Sequence, residues 1–219
     1  ENLATIHRSG EHLLGLINDV LDISKIESGR ATCQPTDCDL HALLGELGEL
    51  LRERATLKSL SLRVHWAATV PRHVRADATK LRQVLINLLG NAVKFTQQGS
   101  VLLAVDALRG EQGGRCRLRF AVSDTGPGIT AEEQAKLFEP FSQALAGVRS
   151  QEGSGLGLAI SRQHVQLMGG DIAVHSAPGQ GSRFSFELDF EVLKGAVPEA
   201  KAQRLVIGLE PGQPRYRVL

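Results

Sequence analysis

The stretch NLLGNAVKFT, residues 87–96, decides how the rest of this sequence is interpreted. It is an apolar run in which Asn87 and Asn91 stand four residues apart and Lys94 follows one helical turn later. Asparagine is a poor helix former, because its amide competes with the main chain for hydrogen bonds. At 100° per residue the three polar side chains share one stripe, and apolar residues cover the opposite side. The stretch predicts a helix with one core-facing side and one polar side of unusual composition.

Two interpretations of this polar stripe are open from the helix alone. A solvent-facing side is the usual meaning, but such sides favour Lys, Glu, Arg and Gln over Asn. The amide oxygen of Asn suits a hard cation such as Mg²⁺, and Lys is a point charge that binds phosphate. The stripe therefore indicates either a plain surface or a site for Mg²⁺ and phosphate.

Bulk composition is that of a soluble globular protein. The 219 residues are 42% hydrophobic and 22% charged, enough for one large or two small domains. The net charge of +1 predicts no nucleic-acid partner. There is no apolar run of ~18 residues and no signal-peptide pattern, so we expect no membrane contact by this portion. We expect this portion in the cytoplasm and leave open a parent protein anchored in the inner membrane.

The first 40 residues predict a long helix and a connector. Residues 1–28 repeat apolar positions by threes and fours, as in a helix that packs into a bundle, and we expect this helix to form a dimer. Ser28 and Gly29 end it, and residues 30–38 are interpreted as a connector that contains Pro35.

The remainder alternates helical and strand patterns. An apolar stripe typical of a helix begins at Leu40 and includes Leu50. Asp77 is a plausible N-cap for the helix of the opening stretch. Thr130 begins a capping box and so predicts the start of another helix. Strands are predicted at Leu60–Trp66, Ser100–Leu108, Arg115–Ser123, Asp171–Ser176 and Ser182–Glu191, with a turn at 110–114, a loop at 142–153 and a helix at Leu156–Met168. This order predicts an α+β two-layer α/β sandwich, with a mixed, mostly antiparallel sheet and helices on one face, preceded by the N-terminal bundle helix.

Two glycine-containing stretches could bind a nucleotide. In DTGPGI, residues 124–129, Asp124 ends a strand and could accept a hydrogen bond from an amino group such as that of adenine, although an ordinary loop fits as well. In GSGLGL, residues 153–158, glycines precede a helix, whose free N–H groups and positive end attract anions. Neither stretch decides the function alone.

Taken in series, these segments resemble the N, G1, F and G2 boxes of sensor histidine kinases, within the wider GHKL ATPase superfamily. The F box is similar to FEPF, residues 138–141, and HLLGLINDVLDISKIESG, residues 12–29, looks like the second helix of the dimerisation and histidine-phosphotransfer domain. The resemblance runs from about Leu3 to Phe190.

The resemblance implies ATP and Mg²⁺ as cofactors and a role for each matching residue. Asn91 would bind Mg²⁺, with Asn87 supporting the metal or the phosphates; Lys94 would contact phosphate, and Asp124 would bind the adenine amine. The residues implied in nucleotide binding are Asn87, Asn91, Lys94, Phe95, Asp124, Gly126, Gly128, Ile129, Ser154, Gly155, Leu156 and Gly157. The first three are also implied in catalysis, Asn91 alone as a metal ligand, and residues 142–154 as a lid over ATP.

One position separates kinases from hydrolases in this superfamily. The hydrolases carry a Glu four residues before the metal-binding Asn, and Asn87 in that place cannot act as a general base. We therefore expect transfer of the γ-phosphoryl group to a His. None of the seven histidines has the sequence context of the family's phosphoacceptor, so we expect this chain to bind ATP without labelling itself. A degenerate binding module and a GHKL-type ATPase remain alternatives.

The resemblance also divides the chain. Residues 1–29 would be part of the dimerisation domain, 30–38 the connector, 39–193 the ATP-binding domain, and 194–219 a linker with a possible first strand of a receiver domain. The partners implied are a second copy of the chain, bound through the N-terminal helix, and a response regulator or receiver domain. Glu152 departs from the family pattern by placing a negative charge near the phosphates.

Overall fold

The computed structural model describes residues 28–141 and 155–193, together with Gly10, Leu13, Leu14, Ile17 and residues 20–24. Four helices follow the N-terminal segment: α1 (Leu40–Leu57), α2 (Ala78–Phe95), α3 (Ala131–Lys136) and α4 (Gly157–Leu167). The strands are β1 (Thr36–Asp39), β2 (Ser61–Trp66), β3 (His73–Ala76), β4 (Ser100–Gln112), β5 (Arg115–Asp124), β6 (Ile172–Ser176) and β7 (Ser182–Val192).

The strands form one mixed sheet in the order β1-β3-β7-β5-β4-β2, and β6 also pairs with β7. Strands β2 and β4 run parallel, and the other described pairs are antiparallel. The helices cover one face of this sheet. The predicted α+β class, with a mostly antiparallel sheet, is therefore confirmed.

The core lies between the helices and the inner face of the sheet. Helix α2 contributes the apolar side predicted from its sequence, and all of its members are buried: Leu81, Val84, Leu85, Leu88, Leu89 and Ala92. Alternate residues of β5, including Leu118 and Phe120, point to the same core, as the period of two in a strand requires. Each large apolar side chain buried there stabilises the fold by about 1.5–3 kcal/mol. Because this side of α2 is buried in the core, the opposite side, which carries Asn87, Asn91 and Lys94, faces away from it.

Several local expectations need correction. Residues 36–38, interpreted as the end of the connector, form strand β1 together with Asp39. This strand pairs with β3, and neither short strand was predicted from the sequence. The β4–β5 turn is limited to Gly113 and Gly114, because β4 continues to Gln112 and both glycines adopt the positive φ of a tight hairpin turn. Leu50, assigned to the inward stripe of α1, is 57% exposed.

The N-terminal segment is described only in part. Residues 20–24 are helical, the Ser28 N–H donates to the Ser24 carbonyl at 3.1 Å, and Gly29 has a φ of 67°. Five of the described apolar side chains before Ser28 are exposed: Leu13, Leu14, Ile17, Val20 and Leu21. The rest of the predicted helix lies outside the described residues, and dimerisation through it stays a prediction.

Asp77 fixes the start of α2. Its carboxylate is 4% exposed and accepts hydrogen bonds from the main-chain N–H groups of Lys80 and Gln34 and from Lys80 Nζ, all at 2.9–3.0 Å. Burial alone would raise the pKa of Asp77, but these donors outweigh it and hold the pKa below its ordinary value. The predicted N-cap is confirmed, and it also ties the connector to α2.

Replacing Asp77 with Ala should lower the free energy of unfolding by about 1–3 kcal/mol, because helix and connector N–H groups lose their acceptor. Urea unfolding measures this loss. The control is Asp37→Ala, at an exposed position, which should change the free energy of unfolding by less than about 0.5 kcal/mol. Since the folded pKa of Asp77 is lowered, its contribution is complete above the ordinary pKa of 3.8 and is lost as pH falls through the folded value. Asp77→Asn should lack that part of the acid dependence; equal stability of Asp77→Ala and Asp37→Ala would contradict this role.

Candidate nucleotide site

The polar side of α2 faces α4. Asn87 Nδ2 donates to Ser161 Oγ at 2.9 Å, and Asn91 Nδ2 lies 3.5 Å from Asn87 Oδ1. Both asparagines are half-buried, and Ser161 is 2% exposed. A solvent-facing polar side is therefore the wrong interpretation of this stripe, because its middle is held against a second helix.

The glycine-rich stretch meets α2 at Asn87. A Cβ at Gly157 would overlap Asn87 Oδ1 and lie 3.0 Å from Asn87 Cγ, so glycine allows α4 to begin this close to α2. Leu156 is buried at the N-cap position and has no side-chain oxygen with which to cap the first N–H groups of α4. Gly155 before it has a φ of 71°, in the left-handed region. The positive end of α4 therefore begins beside Asn87.

The end of α2 is held by a lysine from outside the predicted motif. Lys58 Nζ donates to the main-chain carbonyls of Val93 at 3.0 Å and Lys94 at 2.6 Å. A cation at a helix C-terminus satisfies the last carbonyls and interacts favourably with the helix dipole. Lys94 itself places Nζ 5.0 Å from the centroid of the Phe95 ring. Lys58 therefore helps to fix the main chain at Lys94 and Phe95, both of which are predicted to contact the nucleotide.

Asp124 lies at the end of β5, opposite Ser182 in the β5–β7 register. Its Oδ1 accepts from the main-chain N–H of Gly126 at 2.8 Å and of Ser182 at 3.3 Å. Burial raises the pKa of Asp124, and the two N–H groups oppose that shift only in part. A Cβ at Gly181 would overlap the main-chain oxygen of Asp124, so the neighbouring turn packs directly on it. The carboxylate is thus fixed in orientation in a partly dry environment.

The loop after Asp124 is held by close main-chain contacts. Gly128 has a φ of 73°, and a Cβ there would overlap the Ala177 carbonyl, so a side chain is excluded on both grounds. The Ile129 N–H donates to Ser176 Oγ at 2.8 Å. These contacts fix the loop to the β6–β7 turn and leave Ile129 partly buried.

Thr96, directly after α2, contacts the same loop. Its Oγ1 lies 3.2 Å from the Cβ position of Gly126, and among the described residues this buried hydroxyl has no hydrogen-bond partner. The C-terminal half of α2 therefore contacts the glycine-rich stretch at Asn87 and the Asp124 loop at Thr96. The helix that carries Asn87 and Asn91 is therefore in contact with Gly157, and Thr96 at its end is in contact with Gly126, whose N–H is held by Asp124.

Some predicted positions are not described, and some contributors were missed. Ser154 and the predicted lid over 142–154, with Glu152, lie outside the described residues. Ser161 was missed, although it follows Gly157 by four residues and so shares its side of α4. Ser182 was missed because it acts through its main-chain N–H, which leaves no side-chain signal.

The donor chemistry fits Mg²⁺ together with a nucleotide. Among residues 28–141, 155–193 and the described N-terminal positions, no group of three His, Cys, Asp or Glu could hold a metal ion. Mg²⁺ often takes only one or two protein oxygens and completes its shell with water and substrate phosphate. The amide oxygen of Asn91, one helical turn after the Asn87 amide that packs on the start of α4, has the donor chemistry of such an incomplete protein site.

A family model described as "Histidine kinase-, DNA gyrase B-, and HSP90-like ATPase" matches residues 76–192. The chain belongs to this ATPase family. The match extends from the start of α2 to the end of β7 and so contains both asparagines, the Asp124 loop and Gly157.

Relatives within the family narrow the resemblance. The signal transduction histidine-protein kinase BarA of Escherichia coli K12 is 36% identical over 95% of this chain, and the circadian input-output histidine kinase CikA of Synechococcus elongatus is 47% identical over 84%. The chain spans only 23–24% of these two proteins. The crystal structure of full-length ShkA in complex with AMPPNP matches with a TM-score of 0.73 and 37% identity, covering 89% of this chain and 39% of that one. The resemblance to sensor histidine kinases is confirmed, and the chain carries the ATPase-like catalytic domain of that class.

Gly157→Ala should destabilise the protein by about 1–3 kcal/mol, because the added methyl must displace the Asn87 amide from Ser161. Thermal or urea unfolding measures this change. The matched control is Gly45→Ala in α1, where nothing lies within 4 Å of a new Cβ. That variant should gain about 0.5–1 kcal/mol, since Ala restricts the unfolded chain and favours helix. If Gly157→Ala were as stable as Gly45→Ala, the close approach of α4 to Asn87 would be wrong.

Proposed function

We propose that this chain binds Mg²⁺-ATP and directs its γ-phosphoryl group to a histidine in a two-component phosphorelay. The observation that carries the proposal is the contact of the Asn87–Asn91 side of α2 with the glycine-rich start of α4. It places the amide oxygen of Asn87 beside a helix N-terminus, with Asn91 on the next turn of α2, and so brings together an oxygen-bearing side chain surface for a metal and an anion-binding helix end.

Adenine binds at Asp124 in this proposal. The half-buried carboxylate has two acceptor oxygens, and the N–H groups of Gly126 and Ser182 hold one of them. The other is available to an exocyclic amine, which is a donor only. Gly126 and Gly128 keep the loop narrow, while Ile129 and Phe95 supply partly buried apolar surface for the base.

The phosphates bind between α2 and α4. Asn91 supplies an oxygen to Mg²⁺, Lys94 contributes a positive charge, and Gly155, Leu156 and Gly157 offer N–H groups at the start of α4. Bound Mg²⁺ would neutralise charge on the phosphate oxygens during transfer. The protein's part is then mainly positioning and electrostatic stabilisation.

In this proposal, the γ-phosphoryl group is passed to a histidine and then to partner proteins. The side chain at position 87 is an amide that donates to Ser161, so it cannot take a proton from water as a carboxylate would. This favours transfer over hydrolysis. We propose a histidine on a neighbouring bundle helix as the acceptor, a dimer through the exposed apolar side of the N-terminal segment, and relay to a response regulator or receiver domain. None of the described helices is long and apolar enough to cross a membrane.

Calorimetric titration of ATP with and without Mg²⁺ tests the site. Asp124→Ala should weaken binding about 10- to 100-fold in both conditions, because the adenine amine loses a charged acceptor. Asn91→Ala should weaken it by a similar factor mainly when Mg²⁺ is present. The control is Asp106→Ala, an exposed carboxylate of β4, which should change affinity less than about twofold. Unchanged affinity in both site variants would refute the assignment.

Radiolabelling with γ-³²P-ATP tests the reaction. The present chain should bind ATP without acquiring acid-labile phosphate, whereas a longer natural chain that includes the preceding bundle helix should become labelled on histidine. Asn91→Ala in the longer chain should reduce labelling at least about tenfold, since the metal contact is lost. Acid-labile phosphate on the present chain, or steady release of inorganic phosphate without a phosphoprotein, would count against phosphotransfer to an external histidine.

A further inference from the structure

Ser161 connects α4 to the middle of the polar side of α2. It lies 74 positions from Asn87 in sequence, is almost fully buried, and accepts the Asn87 Nδ2 hydrogen at 2.9 Å. The same Asn87 amide packs against Gly157 and places Oδ1 3.5 Å from Asn91 Nδ2. Three groups therefore surround one amide.

An amide has a donor end and an acceptor end, so its partners determine which way it faces. Because Asn87 directs Nδ2 to Ser161, its Oδ1 faces Asn91. Asn91 in turn directs Nδ2 toward Asn87, which leaves Asn91 Oδ1 on the side away from Asn87. A cation binds the oxygen of an amide and is repelled by its NH₂ group. The orientation of Asn91 thus follows from the contact that Asn87 makes with Ser161.

Loss of the Ser161 hydroxyl would remove the acceptor that holds the Asn87 NH₂ group in its present direction. The Asn87 NH₂ group would then lie in a nearly dry contact without an acceptor, and turning the amide over would give it Asn91 as a new neighbour. Asn91 would then accept a hydrogen bond from the Asn87 NH₂ group, for which it must turn its own amide oxygen toward Asn87. The NH₂ group of Asn91 would then occupy the place of the metal-binding oxygen.

We propose that Ser161 is a positioning residue that acts through Asn87 to keep the oxygen of Asn91 directed at Mg²⁺. This inference rests on the proposed function, because it concerns the same Mg²⁺-nucleotide site. Ser161 does not contact the nucleotide. Its effect is on metal dependence, and it couples the start of α4 to the metal-binding side of α2.

The test is ATP affinity of Ser161→Ala, measured by calorimetry in saturating Mg²⁺ and again in EDTA. Affinity should fall about 10- to 100-fold with Mg²⁺ and less than about threefold in EDTA. Ser161→Thr, which keeps the hydroxyl, should stay within about threefold of the natural protein in both conditions. The matched control is Ser185→Ala on the outer face of β7, where affinity should not change.

A double-mutant cycle separates positioning from general loss of structure. In an Asn87→Ala background, Ser161→Ala should have no further effect on Mg²⁺ dependence, because the residue through which it acts is gone. If Ser161→Ala does not fold, Ser161→Cys gives the same comparison with a weaker acceptor of similar size.

The outcomes distinguish the two proposals. If Mg²⁺ does not strengthen ATP binding in the natural protein, or if Asn91→Ala leaves that strengthening intact, the proposed function fails. If Mg²⁺ acts through Asn91 but Ser161→Ala binds like the natural protein, or loses affinity equally with and without Mg²⁺, only the positioning role fails.

Discussion

Helix α2 must satisfy two environments at once, and the rest of the structure depends on that constraint. One side buries leucines in the core, and the other holds Asn87 against Ser161 of α4. A rotation of the helix by one residue, 100°, would expose apolar surface and remove the amide from its partner. Its two ends are held from outside, by the carboxylate of Asp77 and by the ammonium of Lys58. The core therefore fixes the helix, and the helix fixes the orientation of the candidate metal ligand.

The Asp124 side of the candidate site, where we propose that adenine binds, depends on strand register instead. Asp124 and Ser182 are direct partners in the β5–β7 ladder, so the N–H that holds the carboxylate comes from the neighbouring strand. A slip of one residue would turn every side chain of the strand to the other face. Gly181 allows the approach, because any side chain there would meet the main chain of Asp124. Helix packing and strand pairing thus place the two halves of the site independently.

The sequence predicted the parts of this structure that depend on local pattern. The 3.6-residue period gave α2 its buried and polar sides, and the side-chain chemistry of Asp77 and Thr130 identified two helix starts, both confirmed as caps. Contacts between distant segments were not predictable in this way. The pairing of residues 36–39 with β3 depends on the position of another strand, and the partner of Asn87 lies on a helix far along the chain. Leu50 is a further example. The helical period assigned it to the buried stripe of α1, but the width of that stripe depends on how the helix packs, and Leu50 is exposed.

Position 87 shows how the structure changes the meaning of a sequence feature. In the sequence, Asn87 matters because it is not the glutamate of the superfamily's hydrolases. In the structure it has a donor contact to Ser161 and an acceptor that faces Asn91, so both ends of its amide are used. A carboxylate has acceptors only, so it could not donate to Ser161 as Asn87 Nδ2 does and would have to accept from the Ser161 hydroxyl instead. It would also bring a negative charge beside the start of α4, where the proposed function places phosphate. The neutral amide at this position therefore supports positioning of a metal-bound phosphate over activation of water, for which a carboxylate would serve as the base.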